Sequence, residues 1–192
     1  MAHELKKIFV VDDNNGNLIA CKNILKPYYE VYPAQSVEKM FELLEHIIPD
    51  LILLDVEMPD INGYDAAKKV RSNDAYKNVP IIFLSARNDS TSEMEGFNLG
   101  ALDYIHKPFI SHLLLRRIEM HFSIIDYRKV FKEIKEPINS INKMLDEAAN
   151  VTEPVKLPGY IESINNFAKE LLNTINNILD MSKSWDKVAG GQ

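Results

Sequence analysis

Leu51-Ile52-Leu53-Leu54-Asp55 is an apolar run that ends on a carboxylate. Bounded by Pro49-Asp50 and by Met58-Pro59, it reads as a strand buried on both faces, the kind found in the middle of a parallel sheet. Open α/β sheets place their ligand sites outside the carboxyl ends of such strands. Asp55 therefore sits where that architecture keeps its chemistry.

Outward from this strand, the same signal recurs. Ile8-Phe9-Val10-Val11 is a second apolar strand, ending on Asp12-Asp13. Residues 79–85 form a further buried strand that ends on Ser85 and tolerates Pro80 near its start. Residues 28–32 read as a more polar edge strand, and 103–107 as a last short strand ending on Lys107. Apolar spacing predicts helices over 14–26, 37–47 (with Ser36 as N-cap), 63–71 and 93–100, and a fifth starting near Ile110. Five strands alternating with five helices over about 120 residues predict a doubly wound, flavodoxin-like α/β domain with parallel strand order 2-1-3-4-5.

Composition narrows the function. A chain of 192 residues has room for this domain and a smaller module, and 46% apolar with 26% charged residues is ordinary for a globular protein. The net charge of −6 argues against a broad nucleic-acid face, and no basic helix-turn-helix is evident, so no nucleic-acid partner is expected. The single cysteine, Cys21, excludes an intrachain disulfide and reads as a buried structural thiol. No apolar stretch approaches the ~20 residues of a membrane span, and no signal-peptide core opens the chain. The expectation is a cytoplasmic protein with no membrane partner.

In the 2-1-3-4-5 order, Asp12, Asp13 and Asp55 converge at one sheet edge, joined by Ser85 and Lys107. Three carboxylates together repel one another and need a hard cation; oxygen-only ligands suit Mg²⁺. A divalent cation, a hydroxyl and an ammonium can neutralise the oxygens of a transferring phosphoryl group, and a carboxylate can accept it as an acyl phosphate. Asp55, at the strand end, is the candidate nucleophile. The plainer reading of Asp12 and Asp13, a charge pair at a helix N-terminus, leaves Asp55 and Lys107 unexplained. The five histidines show no metal-ligand spacing.

Val-Asp12-Asp13, the stretch from Asp55 through Met58-Pro59 to Asn62-Gly63, Ser85-Ala86 and Asp103-Tyr104-Ile105-x-Lys107-Pro108-Phe109 resemble the motifs of a two-component response-regulator receiver domain, over roughly residues 5–122. The resemblance implies that Asp55 is the phospho-acceptor, supplied by a sensor histidine kinase. It implies Asp13, Asp55 and the backbone carbonyl of Glu57 as Mg²⁺ ligands, with Asp12 acting through coordinated water. Ser85 and Lys107 would contact the phosphoryl group, and Lys107-Pro108 would be a cis peptide. Ser85 and Tyr104 would form the switch, Tyr104 turning inward as Ser85 moves; a static half-buried ring is the other reading of Tyr104.

After Lys107 the pattern changes. Helical periodicity continues from Ile110 through Ile125, Phe131, Ile134, Ile138, Ile141 and Leu145 to about Ala149, a span that suggests a bundle element. Residues 150–159, with two prolines, read as a loop, and a second amphipathic helix follows from Tyr160 to about Ser184. Such a hairpin leaves an apolar face that a second copy would bury in a four-helix bundle. Phe131-Lys132-Glu133-Ile134-Lys135-Glu136-Pro137-Ile138 and the segment Asn176-Asn177-Ile178-Leu179-Asp180-Met181-Ser182-Lys183 resemble the two helices of a histidine-kinase dimerisation and phosphotransfer domain. Where that family carries its phospho-accepting histidine, this chain has Lys132, whose ammonium offers no free lone pair at neutral pH. Only seven residues follow Trp185, too few for an ATP-binding domain, so no kinase activity is expected.

The expected organisation is thus a receiver over 1–122, a degenerate phosphotransfer-like hairpin over 123–185 that makes a homodimer, and a flexible tail over 186–192. The expected function is a response regulator phosphorylated on Asp55 with Mg²⁺. The alternatives are a phosphorelay intermediate, with His121 the one histidine near the bundle, a kinase-binding adaptor, or a structural scaffold.

Overall fold

The structure, a computed structural model, describes residues 5–86, 90–150, 152 and 156–189, with the backbone alone for 90–92 and 177–189. The chain divides into two compact units, Met1–Glu119 and Met120–Gln192.

In the first unit, strands β1 (Lys7–Val11), β2 (Glu30–Ala34), β3 (Leu51–Asp55), β4 (Ile81–Ser85) and β5 (Asp103–His106) form one parallel sheet of order β2-β1-β3-β4-β5, the flavodoxin-like arrangement expected. Helices α1 (Asn15–Leu25), α2 (Val37–Leu44), α3 (Gly63–Ser72) and α4 (Ser90–Asn98) alternate with the strands, and α5 (Ser111–Ala149) begins in this unit. Every residue of β3 and β4 is buried, as central strands covered on both faces require. Burying a Leu or Ile side chain in full is worth about 1.5–3 kcal/mol, so the Leu51–Leu54 run anchors the sheet.

Local chemistry sets the element ends. Asn14 caps α1, its side-chain oxygen accepting from the Gly16 and Asn17 amides, and Ser36 caps α2 as predicted. The edge strand lies two residues later than the 28–32 expected. The Tyr28 and Tyr29 amides both donate to the Leu25 carbonyl at 3.0 Å and close the turn after α1, so pairing starts at Glu30. Pro33 falls inside β2 because an edge strand can turn the proline nitrogen away from the ladder. Helix α4 spans Ser90–Asn98 rather than 93–100; Gly100, at φ 77°, takes the left-handed turn that follows it.

In the second unit α5 runs on to Ala149, the end that periodicity predicted, with Pro137 inside it and buried. Helix α6 (Leu157–Ala189) begins three residues before the expected Tyr160, since Pro158 fits a first turn whose N–H groups need no helical partner. It also continues past Ser184, because nothing breaks a helix before Gly190; residues 186–189 of the expected tail are helical. Four positions of the expected 150–159 loop (151 and 153–155) lie outside the described residues, as do 190–192. Among the described residues no helix is long and apolar enough to cross a membrane.

Candidate functional site

The sheet order brings the predicted residues to one edge. Asp12 follows β1, Asp55 ends β3, Ser85 ends β4 and Lys107 follows β5. Register keeps them level: Val11 pairs with Leu54, Asp55 with Leu84 and Ser85 with His106.

Asp12 is fully buried and Asp55 is 3% exposed, whereas Asp13 is exposed. One oxygen from each of the three carboxylates lies within 4.8 Å of the others. The Lys107 ammonium sits between the two buried ones, 2.6 Å from Asp12 Oδ2 and 2.8 Å from Asp55 Oδ2. Among the described residues, this ammonium thus lies against two of the three carboxylates. Burial and the neighbouring Asp12 push the Asp55 carboxyl above its ordinary value, opposed by Lys107. Burial alone would lower the Lys107 ammonium, but its bonds to Asp12 and Asp55 win, and it is raised. The remaining negative charge and the all-oxygen donor set fit a divalent cation such as Mg²⁺. Asp12, Asp13 and Asp55 each bring an oxygen that could hold it.

Of the other predicted residues, Glu57, Ser85 and Tyr104 belong to the first unit. The Glu57 amide donates to Asp55 Oδ1 at 3.3 Å, while the residue itself is exposed. Ser85 is fully buried, and its carbonyl accepts from the Lys107 amide at 2.8 Å, which fixes the loop carrying the ammonium. The Lys107-Pro108 bond is cis. Tyr104 is 4% exposed, its hydroxyl 3.5 Å from that of Tyr64 and its ring 6.4 Å from Phe83 and 5.5 Å from His106. The ring therefore points inward. Lys132 belongs to the second unit, where its side chain is 79% exposed and faces Glu136 at 3.8 Å. Arg87, a side chain expected to bear on phosphate lifetime, lies outside the described residues.

Sequence reading missed two contacts. The Asn17 side-chain amide donates to both Asp12 oxygens, at 3.0 and 3.1 Å. Gly63 packs so closely on β3 that a Cβ there would lie 2.1 Å from the Asp55 carbonyl oxygen. An asparagine in the first turn after Asp12-Asp13 was the available signal for the first; the second was visible only as a glycine opening α3.

A family model described as the response regulator receiver domain matches residues 8–119. The chain is 35% identical over 114 residues to a probable cyclic di-GMP phosphodiesterase of Vibrio cholerae, covering 59% of this chain and 26% of that protein. It is 32% identical over 114 residues to the sensory transduction protein BceR of Halalkalibacterium halodurans, covering 59% and 48%. The chain thus spans about half or less of these curated relatives. The structure of the chemotaxis protein CheY4 of Vibrio cholerae is similar with a TM-score of 0.58 and 28% identity, covering 60% of this chain and 98% of that one.

Proposed function

The chain belongs to the response regulator receiver family of two-component systems, and from that premise we propose that Asp55 is its phospho-acceptor, with a sensor histidine kinase as donor. The observation that carries this is the Lys107 ammonium, held between buried Asp12 and Asp55, whose oxygens lie within 4.8 Å of one from Asp13. In the step proposed, an Asp55 carboxylate oxygen attacks the phosphorus of a phosphohistidine. The O–P bond forms, the N–P bond breaks, and the imidazole leaves with a proton from solvent. Bound Mg²⁺ supplies charge neutralisation for the phosphoryl oxygens.

The chain's own groups do the rest. Lys107 and the Ser85 hydroxyl are the proposed contacts of the remaining phosphoryl oxygens. Asp13, Asp55 and the Glu57 carbonyl are the proposed metal ligands, and Asp12 acts through a coordinated water. Tyr104, held inward beside Tyr64 and Phe83, is the proposed switch ring with Ser85. The added phosphoryl charge biases a two-state surface.

For output, we infer that residues 123–185 act as a degenerate phosphotransfer-like hairpin that dimerises and has no kinase chemistry of its own, the receiver occupying 1–122. Exposed Tyr127, Phe131, Ile138 and Leu145 on α5 and Ile161 and Leu172 on α6 support an apolar face to be covered. Lys132 at the histidine position supports a module that does not relay phosphate.

The test is molar mass by light scattering and thermal midpoint in Mg²⁺, with and without beryllium fluoride, beside Asp55→Ala. Acceptor function predicts that beryllium fluoride raises the midpoint of the wild type and not of Asp55→Ala; no shift in either defeats it. A dimer supports the self-pairing hairpin, whereas a monomer in every condition defeats it and favours an adaptor that pairs with a kinase.

A further inference from the structure

Asp12 is saturated with donors. Its Oδ1 accepts the Asn14 amide at 2.9 Å and the Asn17 side-chain amide at 3.0 Å; its Oδ2 accepts the same Asn17 amide at 3.1 Å and the Lys107 ammonium at 2.6 Å. A carboxylate offers about four lone-pair sites, so none is left over. The orientation of Asn17 follows from chemistry: an NH₂ group can face two carboxylate oxygens, and a carbonyl oxygen cannot.

Asn17 is the third residue of α1, after the Asn14 cap. A side chain at this position reaches back over the helix start, as an acceptor does in a capping box. Here the side chain is a donor and reaches past the cap to Asp12. Its neutrality matters too. A Lys or Arg could also donate, but would set a second cation beside carboxylates that must attract a divalent metal.

The Lys107 ammonium has three donors and spends two on Asp12 and Asp55, so serving more than one phosphoryl oxygen takes a donor from a carboxylate. As its ammonium turns to the phosphoryl oxygens, Asp12 loses a charge-assisted bond while remaining buried, a costly state unless other donors stay. We infer that Asn17 is a positioning residue for the phosphoryl and metal site: its amide holds Asp12 as a buried anion, in place for the coordinated water, so that Lys107 is released to the incoming phosphoryl group. The inference rests on Asp55 being the acceptor.

The experiment compares Asn17→Leu, Asn17→Gln and Asn17→Arg with wild type in the full chain. Two quantities are read: the Mg²⁺ dissociation constant by calorimetry without any phosphodonor, and the rate of phosphorylation by acetyl phosphate at saturating Mg²⁺. Asp12 is an outer-shell partner of the metal through the coordinated water, and loss of an outer-shell partner typically weakens binding by about 10–100-fold. Asn17→Leu is expected to weaken Mg²⁺ binding by about tenfold or more and to slow phosphorylation at saturating Mg²⁺. Asn17→Gln, which keeps the amide, is expected to recover most of both. Asn17→Arg is expected to weaken Mg²⁺ binding although Asp12 keeps its donors. Wild-type values for Asn17→Leu, or for Asn17→Arg should Asn17→Leu not fold, overturn the inference. A wild type that binds Mg²⁺ but takes up no phosphoryl group defeats the reading of Asp55 instead, and leaves the metal measurements on Asn17 to be judged by themselves.

Discussion

Replacing Gly63 by alanine tests how tightly the acceptor strand is held. The added Cβ would lie 2.1 Å from the Asp55 carbonyl oxygen and 2.9 Å from both the Asp55 carbonyl carbon and Val56 Cα. All three are backbone atoms, so no side chain can turn aside. Ordinary contact begins at 3.4 Å, and the start of α3 must therefore retreat from the end of β3 by about 1 Å. Gly63 has no positive φ, so the demand is for space alone. The retreat is opposed by the bond from the Gly63 amide to the Val56 carbonyl at 2.9 Å and by buried Tyr64, Ala66, Ala67 and Val70 on the same helix. Overpacking of this kind costs about 1–3 kcal/mol, and loss of the amide bond adds about 1 kcal/mol. A destabilisation of about 3 kcal/mol corresponds to a fall of roughly 10 °C in midpoint for a domain of this size. Calorimetric unfolding of the full chain measures it. Gly159→Ala is the control: a Cβ there meets nothing within 4 Å, and helix propensity predicts an unchanged or higher midpoint. Gly63→Ala is also expected to slow phosphorylation, since the clash falls on the Asp55 backbone. A midpoint within 2 °C of wild type, or equal behaviour of the two variants, would refute the packing argument.

Other perturbations probe the charges. Lys107→Met leaves two buried carboxylates without their cation and is expected to lose about 3 kcal/mol at neutral pH in urea unfolding, less at low pH where the carboxyls protonate. In the same variant Mg²⁺ no longer meets a competing ammonium, so it should raise the midpoint more than in wild type. Asp55 is raised in the folded state, first by burial, so the native protein binds this proton more tightly than the unfolded chain. Stability from this group therefore falls as pH rises from the ordinary carboxyl value through the raised one, and Asp55→Asn should be the more stable protein at neutral pH, with the gap closing in acid. The Cys21 thiol is fully buried and pushed up to about 12, chiefly by burial, so the native protein should resist thiol reagents at neutral pH until urea unfolds it. Rapid labelling without urea would contradict that.

What could be read in the sequence was what lies contiguous in it. Leu51–Asp55 and Ile8–Asp13 each carry their own periodicity and end on their own carboxylates, so strand order alone brings Asp12, Asp13 and Asp55 together. Elements decided by distant partners were less legible. The start of β2 depends on where a turn closes on Leu25, and Pro33 is permitted by an edge position that only the finished sheet defines. The contacts of Asn17 with Asp12 and of Gly63 with the Asp55 carbonyl come from the docking of α1 and α3 against strand ends. Arg71 is similar: its guanidinium donates to the carbonyls of Lys77, Val79 and Gly100, tying the end of α3 to two loops through a residue that reads as an ordinary surface arginine.

The claim that Asp55 is the acceptor is tested most directly by incubating the full chain with acetyl phosphate and Mg²⁺, reducing the acyl phosphate with borohydride and mapping the modified residue by peptide mass. The account predicts modification at Asp55 alone, lost when Mg²⁺ is chelated and absent from Asp55→Asn. Modification at Asp12, Asp13 or any other residue in wild type, or none in the presence of Mg²⁺, would contradict it.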